Sequence, residues 1–400
     1  MTASQNGAVV GAPGGISEVT LGVLGGGQLG RMFVQAAQSM GFFTAVLDPD
    51  PSSLAGRISH HHIRTDYLDP EGLARLGALC QAVTTEFENV PAPALAELAR
   101  TRLVSPMAEA VAIAQDRIAE KRHFLDCGVP CAPFAAITSS AELADVPDAL
   151  LPGILKTASM GYDGKGQVRV STRTELAAAW QTLGQVACVL EKLLPLRLEC
   201  SVIVARNAQG QCVHLPIQRN LHRNGILAVT EVFEDNVPAA LAQRAVAAAE
   251  SIASSLHYVG VLCVEFFVLD ADAPEAEALG GLVVNEMAPR PHNSGHYSLD
   301  ACDISQFELQ VRTLAGLPLV APRQHSPAIM LNLLGDIWPE GGVPDWNAVL
   351  TLEGSHLHLY GKHQPGRGRK MGHLTFTGSS PEHVRANALQ AARVLGIAPF

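Results

Sequence analysis

Regular patterning begins at residues 21–25, where Leu-Gly-Val-Leu-Gly forms a short apolar run that enters a glycine-rich turn. An amphipathic stretch from Gln28 to about Met40 follows, with the spacing of a one-sided helix. A second strand-like run, Phe43 to Leu47, closes at Asp48-Pro49, and a further unit ends in the apolar-to-acidic turn Ala82–Glu88. Strand and helix signals that alternate in this way predict a parallel sheet with crossover helices, an α/β unit. From Asp116 the character changes. Short strands at Gly153–Lys156, Gly166–Val170, Cys188–Leu190, Glu199–Val204, Val261–Val268 and Leu282–Glu286 come with glycine turns between them. Helical segments at about 116–127, 173–183 and 238–256 interrupt them, which predicts an α+β body. Pro318, Pro322 and Pro327 read as a linker to a small terminal unit with a strand at Leu352–Leu359. The expected division is a disordered leader at 1–19, a first unit at 20–115, a body at 116–318 and a terminal unit at 319–400.

Composition narrows the classes. The chain is 48% apolar and 16% charged, enough for substantial cores and incompatible with general disorder. A formal charge of −10 argues against a nonspecific nucleic-acid or acidic-membrane surface, while leaving room for a local basic pocket. Eight cysteines lie scattered, with only Cys127 and Cys131 close together, so neither a disulfide framework nor a four-ligand zinc spacing is expected. A reduced, cytoplasmic compartment fits that usage. No apolar run reaches the ~20 residues that span a bilayer. The first nineteen residues lack a cationic start followed by an apolar core, so they read as a leader rather than a signal peptide.

Candidate chemistry sits in four places. Gly25-Gly26-Gly27-Gln28-Leu29-Gly30, with Asp48 eighteen residues on, fits a dinucleotide fingerprint. Glycine at a strand-to-helix turn also serves close packing, and its amides can hold another phosphate. Lys156 precedes Gly161-Tyr162-Asp163-Gly164-Lys165-Gly166-Gln167, where the glycines allow a tight flap over a polyphosphate and the lysines supply cations. Taken alone, that stretch is a hairpin with solvated lysines. The strand Cys188-Val-Leu runs into Glu191-Lys192-Leu193-Leu194, read as an exposed acid–base pair on an edge that can offer backbone groups to adenine; Glu199 can accept from ribose hydroxyls. Finally, Glu265 interrupts one apolar strand and Glu286 ends another. A carboxylate buried in a strand is costly without a cation, and two on adjacent strands can share magnesium with phosphate oxygens, with Asn285 as a neutral oxygen ligand. The polar run Met287 to His296 follows at once and is too bunched for a simple turn.

Together the flap, the Glu191–Leu194 edge, the paired glutamates and the Asn-Glu-Met-Ala-Pro-Arg run resemble the ATP-grasp superfamily. Within it the chain is similar to the N5-carboxyaminoimidazole ribonucleotide synthetase family, the ATPase subunit of phosphoribosylaminoimidazole carboxylase. That likeness rests on Gly25–Met32, Thr85–Asn89, Gln115–Lys121, Gly161–Gln167, Asn220–Leu227, Asn285–His296, Ser305–Leu309 and Gly366–His373, in order over residues 20 to 376. It implies an ATP-grasp fold with an N-terminal Rossmann-like (pre-ATP-grasp) domain and a small C-terminal domain. It also implies ATP-dependent carboxylation of 5-aminoimidazole ribonucleotide with bicarbonate, through carboxyphosphate, in purine biosynthesis. By the same resemblance Arg117, Lys156, Gly161–Gln167, Glu191–Leu194, Glu199, His222, Asn285 and Glu286 are ATP contacts, and Glu265 and Glu286 hold Mg2+. Gln28, Leu29, Glu86, Lys362, Arg369 and Lys370 belong to the ribonucleotide site. Tyr162, Asp163, Arg290, His292 and Asn293 surround the carboxyl-transfer step, and a homodimer is expected.

The chain departs from the family at Thr85, where an aromatic is expected, and at Ser159 and Met160, where a basic residue and glycine are usual. Two rival readings stand beside this one. One is a formate-using ATP-grasp transformylase acting on glycinamide ribonucleotide; the Asn-Ser-Gly-His and Asn-Leu-His-Arg-Asn-Gly-Ile-Leu runs speak against it. The other is a non-catalytic dinucleotide-binding module, which leaves Glu265, Glu286 and the flap without purpose.

Overall fold

The computed structural model describes residues 18–159 and 166–400. Five strands, β1 (Thr20–Leu24), β2 (Phe43–Leu47), β3 (His61–Ile63), β4 (Ala82–Thr85) and β5 (Leu103–Val104), form an all-parallel sheet in the order β3-β2-β1-β4-β5. Alternation along β1 explains why the sheet is covered on both faces. Leu21 and Val23 meet Phe33 and Val34 of helix Gln28–Ser39, and also Val311 and Leu314 of the distant helix Gln306–Ala315. Leu24 turns the other way, toward Leu73 and Leu76 of helix Pro70–Leu79. The first unit is thus locked to the body by the helix Gln306–Ala315.

A second, antiparallel sheet contains β6 (Phe134–Ile137), β7 (Gly153–Thr157), β8 (Gln167–Val170) and β9 (Cys188–Lys192), ordered β6-β9-β7-β8. Leu155, Val170 and Leu190 pack behind it on Leu176 and Trp180 of helix Arg173–Thr182. Period-two alternation therefore turns Ile154, Lys156, Gln167 and Glu191 to the other face.

The third sheet is the largest. It holds β10 (Leu196–Arg206), β11 (Cys212–His214), β12 (Gln218–Arg223), β13 (Ile226–Val232), β14 (Gly260–Leu269), β15 (Leu282–Ala288), β16 (Ala328–Leu334), β17 (Ser355–Leu359) and β18 (Lys370–Thr377). The order is β15-β14-β10-β12-β13-β16-β18-β17, with β11 on β10. Val202, Val204 and Val264 pack on Ala249 and Ile252 of helix Ala239–Ser255. The terminal strands join this same sheet, because β16 pairs antiparallel with β13 from Val229↔Leu331 to Val232↔Ala328. Residues 319–327 link the units, but the sheet itself runs through, since β13 is buried nearly throughout and needs a partner along its edge. Helix Pro381–Leu395 seals this end with Val384, Ala388 and Ala391 against Leu331, Leu374 and Phe376. Among the described residues no helix is long and apolar enough to cross a membrane. All eight cysteines are free thiols.

Candidate active site

A cleft of about 1270 Å³ opens between the sheets. Its floor is the β14–β15 pair, where Glu265 stands directly opposite Glu286. Cross-strand partners point to one face of a sheet, which settles that Glu265 turns into the cleft with Glu286. The register slips just beyond, since Phe266 pairs with Val284, so Asn285 is an extra residue. This bulge turns Asn285 and Glu286 both toward the cleft, where strict alternation would have sent one of them into the core. The Asn285 side-chain oxygen is buried without a hydrogen-bond partner. Glu265 is held by His292 Nε2 at 2.9 Å and Glu286 by Arg117 at 2.8 Å. Burial alone would raise the Glu265 pKa, but His292 outweighs it and holds the carboxyl at about 2. His292 Nδ1 lies 3.3 Å from the Ser294 amide nitrogen and 2.9 Å from its hydroxyl, so the ring is fixed with Nε2 facing Glu265.

The helix Arg117–Asp126 clamps this floor. Asp116 caps it by accepting from the Ile118 and Ala119 amides at 2.8 and 3.2 Å. Arg117, Glu120 and Lys121 share one helical face, and all three reach β15. Arg117 meets Glu286, Glu120 accepts from the Met287 amide at 2.7 Å, and Lys121 donates to the Asn285 carbonyl at 3.4 Å. Burial pushes Glu120 up to about 8. Lys121 also meets Glu191 at 3.2 Å, and Lys156 meets the other Glu191 oxygen at 3.0 Å. Burial disfavours the Glu191 carboxylate, yet the two ammonium groups hold its pKa at about 2. The exposed acid–base pair expected at Glu191 and Lys192 is therefore not found. Glu191 is buried, because this helix covers the end of β9, and Lys192 is tied to Glu275 at 2.9 Å.

Of the two readings open for the glycine turn, close packing is the one found. Gly26 donates to Asp48 at 2.7 Å, while Gly27 and Gly30 donate to the two Glu86 oxygens, the first at 2.7 Å. Internal carboxylates thus occupy three amides that a pyrophosphate would need, and Asp48 is engaged by Tyr67 at 2.8 Å instead of a ribose. The glycines are required because a Cβ on Gly27 would lie 2.4 Å from Glu86 and one on Gly26 1.9 Å from Ser53. Gln28, Leu29 and Glu86 still line the cleft. Burial raises Glu86 to about 7. Two residues on, Glu88 pairs with Arg290, whose guanidinium overcomes burial and holds Glu88 at about 2. Gln115 fixes the same segment by donating to the Glu88 and Val90 carbonyls at 2.6 and 2.7 Å.

Other expected residues distribute as follows. Gly161, Tyr162, Asp163, Gly164 and Lys165 lie outside the described residues, as do Met160 and most of the leader. Gly166 has φ +72°, and its carbonyl accepts from Thr157; Gln167 lies on the wall. Lys192, Leu193 and Leu194 line the cleft, as do Glu199 and His222, which are paired to each other. That bond outweighs burial and raises the His222 pKa. Asn293 accepts from Asn332 at 2.7 Å and keeps a buried, unpartnered amide nitrogen. Lys370 is on the wall, whereas Lys362 donates to the Lys370 carbonyl at 2.7 Å and Arg369 to the Gln364 carbonyl at 2.7 Å, both off the wall.

The sequence matches the ATP-grasp domain over residues 122–307, the ribonucleotide synthetase preATP-grasp domain over 19–115, and the phosphoribosylaminoimidazole carboxylase C-terminal domain over 328–387. The N5-carboxyaminoimidazole ribonucleotide synthase of Brucella melitensis is 41% identical over 363 residues, 89% of this chain and 95% of that protein. This chain belongs to the N5-carboxyaminoimidazole ribonucleotide synthase family. The synthase of Bacillus subtilis is 38% identical over 89% of the chain and 90% of its own length. A solved synthase from Aspergillus clavatus, in complex with ADP and 5-aminoimidazole ribonucleotide, superposes with a TM-score of 0.85 at 30% identity. The match covers 96% of this chain and 100% of that one.

As a member of the synthase family the chain is an ATP-grasp carbon–nitrogen ligase. Three residues that shape its synthase-type cleft escaped the sequence reading. Glu120 and Lys121 look like the solvated side of a helix, because i, i+3, i+4 polar spacing ordinarily marks a water-facing stripe. Their signal was the near absence of an apolar face in Arg117–Asp126. Glu88 lies in the same Thr85–Asn89 stretch as Glu86, and nothing in the sequence distinguishes it.

Proposed function

We propose that the chain couples ATP cleavage to carboxylation of 5-aminoimidazole ribonucleotide, with bicarbonate as the carbon source and N5-carboxyaminoimidazole ribonucleotide, ADP and phosphate as products. The observation that carries this reading is the facing pair Glu265–Glu286 at the cleft floor, in a chain of the synthase family. The donor set fits Mg2+: two carboxylates and the unpartnered Asn285 oxygen are hard ligands gathered on one face. Glu265 and Glu286 would hold the ion, which supplies charge neutralisation at the transferring phosphoryl group.

The protein's own groups do the rest by position and charge. Lys156, fixed by Glu191, and Arg117, fixed by Glu286, present cations to the triphosphate; fixed cations cost no reorganisation as charge moves. Bicarbonate attacks the γ-phosphorus, its oxygen forming the new P–O bond while ADP leaves, and carboxyphosphate results. Carboxyphosphate then releases carbon dioxide and phosphate. The exocyclic amine forms a C–N bond to that carbon and loses a proton. Arg290, His292 and Asn293 line the cleft for that step, with Tyr162 and Asp163 of the flap assigned to it by family likeness. Carboxyphosphate reacts readily with water, so a closed flap at Gly161–Gln167 serves the chemistry. Gln28, Leu29 and Glu86 hold the ribonucleotide, with Lys370 toward its phosphate; Lys362 supports Lys370 through its carbonyl, and Arg369 stands outside the wall.

The test is phosphate release from ATP with and without 5-aminoimidazole ribonucleotide, alongside entry of labelled bicarbonate into an acid-labile product. Ribonucleotide-stimulated release with label incorporation supports the reading. Release driven instead by formate and glycinamide ribonucleotide moves the chain to transformylase chemistry. The same reading extends to a homodimer in the cytoplasm, which light scattering and cell fractionation test.

A further inference from the structure

Outside the cleft, the described residues gather a second set of groups able to bind a metal, at the junction between the short helix Ser298–Ala301 and the terminal strands. His358 on β17 and His373 on β18 are register partners, and their rings stack with centroids 4.5 Å apart. Asp300 reaches them from the helix, its two oxygens 2.9 and 3.1 Å from His358 Nε2. One ligand atom from each of the three lies within 4.8 Å of the others. His373 is fully buried, and its Nε2 has no hydrogen-bond partner. Its Nδ1 is 3.0 Å from the Tyr360 hydroxyl.

We propose that Asp300, His358 and His373 form a binding site for a borderline transition ion of the Zn2+ class. Ligand type is the first argument. Two imidazoles and a carboxylate suit Zn2+, Co2+ or Ni2+, whereas Mg2+ prefers an all-oxygen shell. Distance is the second. Metal–ligand bonds of ~2.1 Å put neighbouring ligands ~3 Å apart, the separation already present between Asp300 and His358. The third ligand atom, on His373, lies within 4.8 Å of the other two. Preparation of the ligand is the third argument. A metal-binding imidazole characteristically donates its other nitrogen to a fixed acceptor, and the Tyr360 hydroxyl stands at His373 Nδ1. Entry is open from the side of His358, whose side chain is 33% exposed. Bound there, the ion ties the helix that follows the cleft residues Asn293 and His296 to the terminal strands, and it requires no turnover.

The site is tested on chelator-stripped full-length protein in saturating Mg-ADP, titrated with Co2+ and read by visible absorption. One equivalent with a nitrogen–oxygen ligand-field band and no sulfur-to-metal charge transfer is expected. The band should vanish in His358→Gln and His373→Gln and persist in Cys263→Ser. Glutamine keeps a polar group at each position, and far-UV dichroism confirms folding. Should His373→Gln not fold, His358→Gln and Asp300→Asn decide. In the unsubstituted protein Zn2+ should raise the melting temperature by a few degrees, and in His358→Gln it should not. Absence of the band at millimolar Co2+ overturns the proposal. So does its survival in folded His358→Gln, or its loss in Cys263→Ser, which would place the ion beside Cys263, Glu265 and His292 in the cleft.

Discussion

Single residues here are held in place by charge as much as by packing. Glu191 keeps two buried ammonium groups neutralised, so Glu191→Ala strands both and should cost ~3–5 kcal/mol of stability. Denaturant midpoints check this, with Glu191→Gln falling between the alanine variant and the parent. Glu120 acts in the opposite sense. Its folded pKa of about 8 lies above the model-peptide value of 4.5, so the folded chain keeps a proton that the unfolded chain releases. Stability from this group is complete below about pH 4.5 and is lost as the pH rises through 8. Urea midpoints should therefore decline from pH 5.5 to 8.5, and Glu120→Gln, which cannot ionise, should flatten that decline. Part of this was legible in the sequence. Glu265 and Glu286 announce themselves because a carboxylate inside an apolar strand demands a reason. Glu191 was misread because strand β9 says nothing of the helix lying across its end.

At the level of elements, a single extra residue organises the floor of the cleft. The bulge at Asn285 puts two consecutive side chains on one face, something no period-two pattern predicts. Asn285→Ala keeps the strand and removes one oxygen, so the magnesium concentration for half-maximal activity should rise ~10-fold with little change in unfolding midpoint. Strands β1, β2 and β4 of the first sheet and most strands of the body could be read from apolar runs and glycine turns, whereas the short β3 and β5 could not. Strand β12, Gln-Arg-Asn-Leu-His-Arg, could not. Its Gln218 and Asn220 are buried in a chain of hydrogen bonds with Ser201 and Thr230, so its inward residues are polar rather than apolar. The glycine turn shows the converse failure. Its spacing imitates a dinucleotide site, while its glycines make room for Glu86, Asp48 and Ser53 from the same domain.

Across the whole molecule, the Glu88–Arg290 pair joins the parallel sheet to the cleft, 202 residues apart in sequence. Glu88→Ala leaves Arg290 buried without its partner, and misplacement of a group near the reacting atoms typically costs ~100-fold in rate. Steady-state kinetics should show kcat falling far more than the KM for ATP changes. The joining of the units did not follow from the sequence. A proline-marked linker suggests separable parts, whereas β13 and β16 share a hydrogen-bonded ladder across it. That continuity sets the limit of dissection. A chain ended at Pro318 would leave the apolar β13 with a bare row of amides and carbonyls, a template for another copy's strand. Such a fragment should go to inclusion bodies rather than yield a free nucleotide-binding module, with soluble yield restored by supplying residues 319–400 in trans.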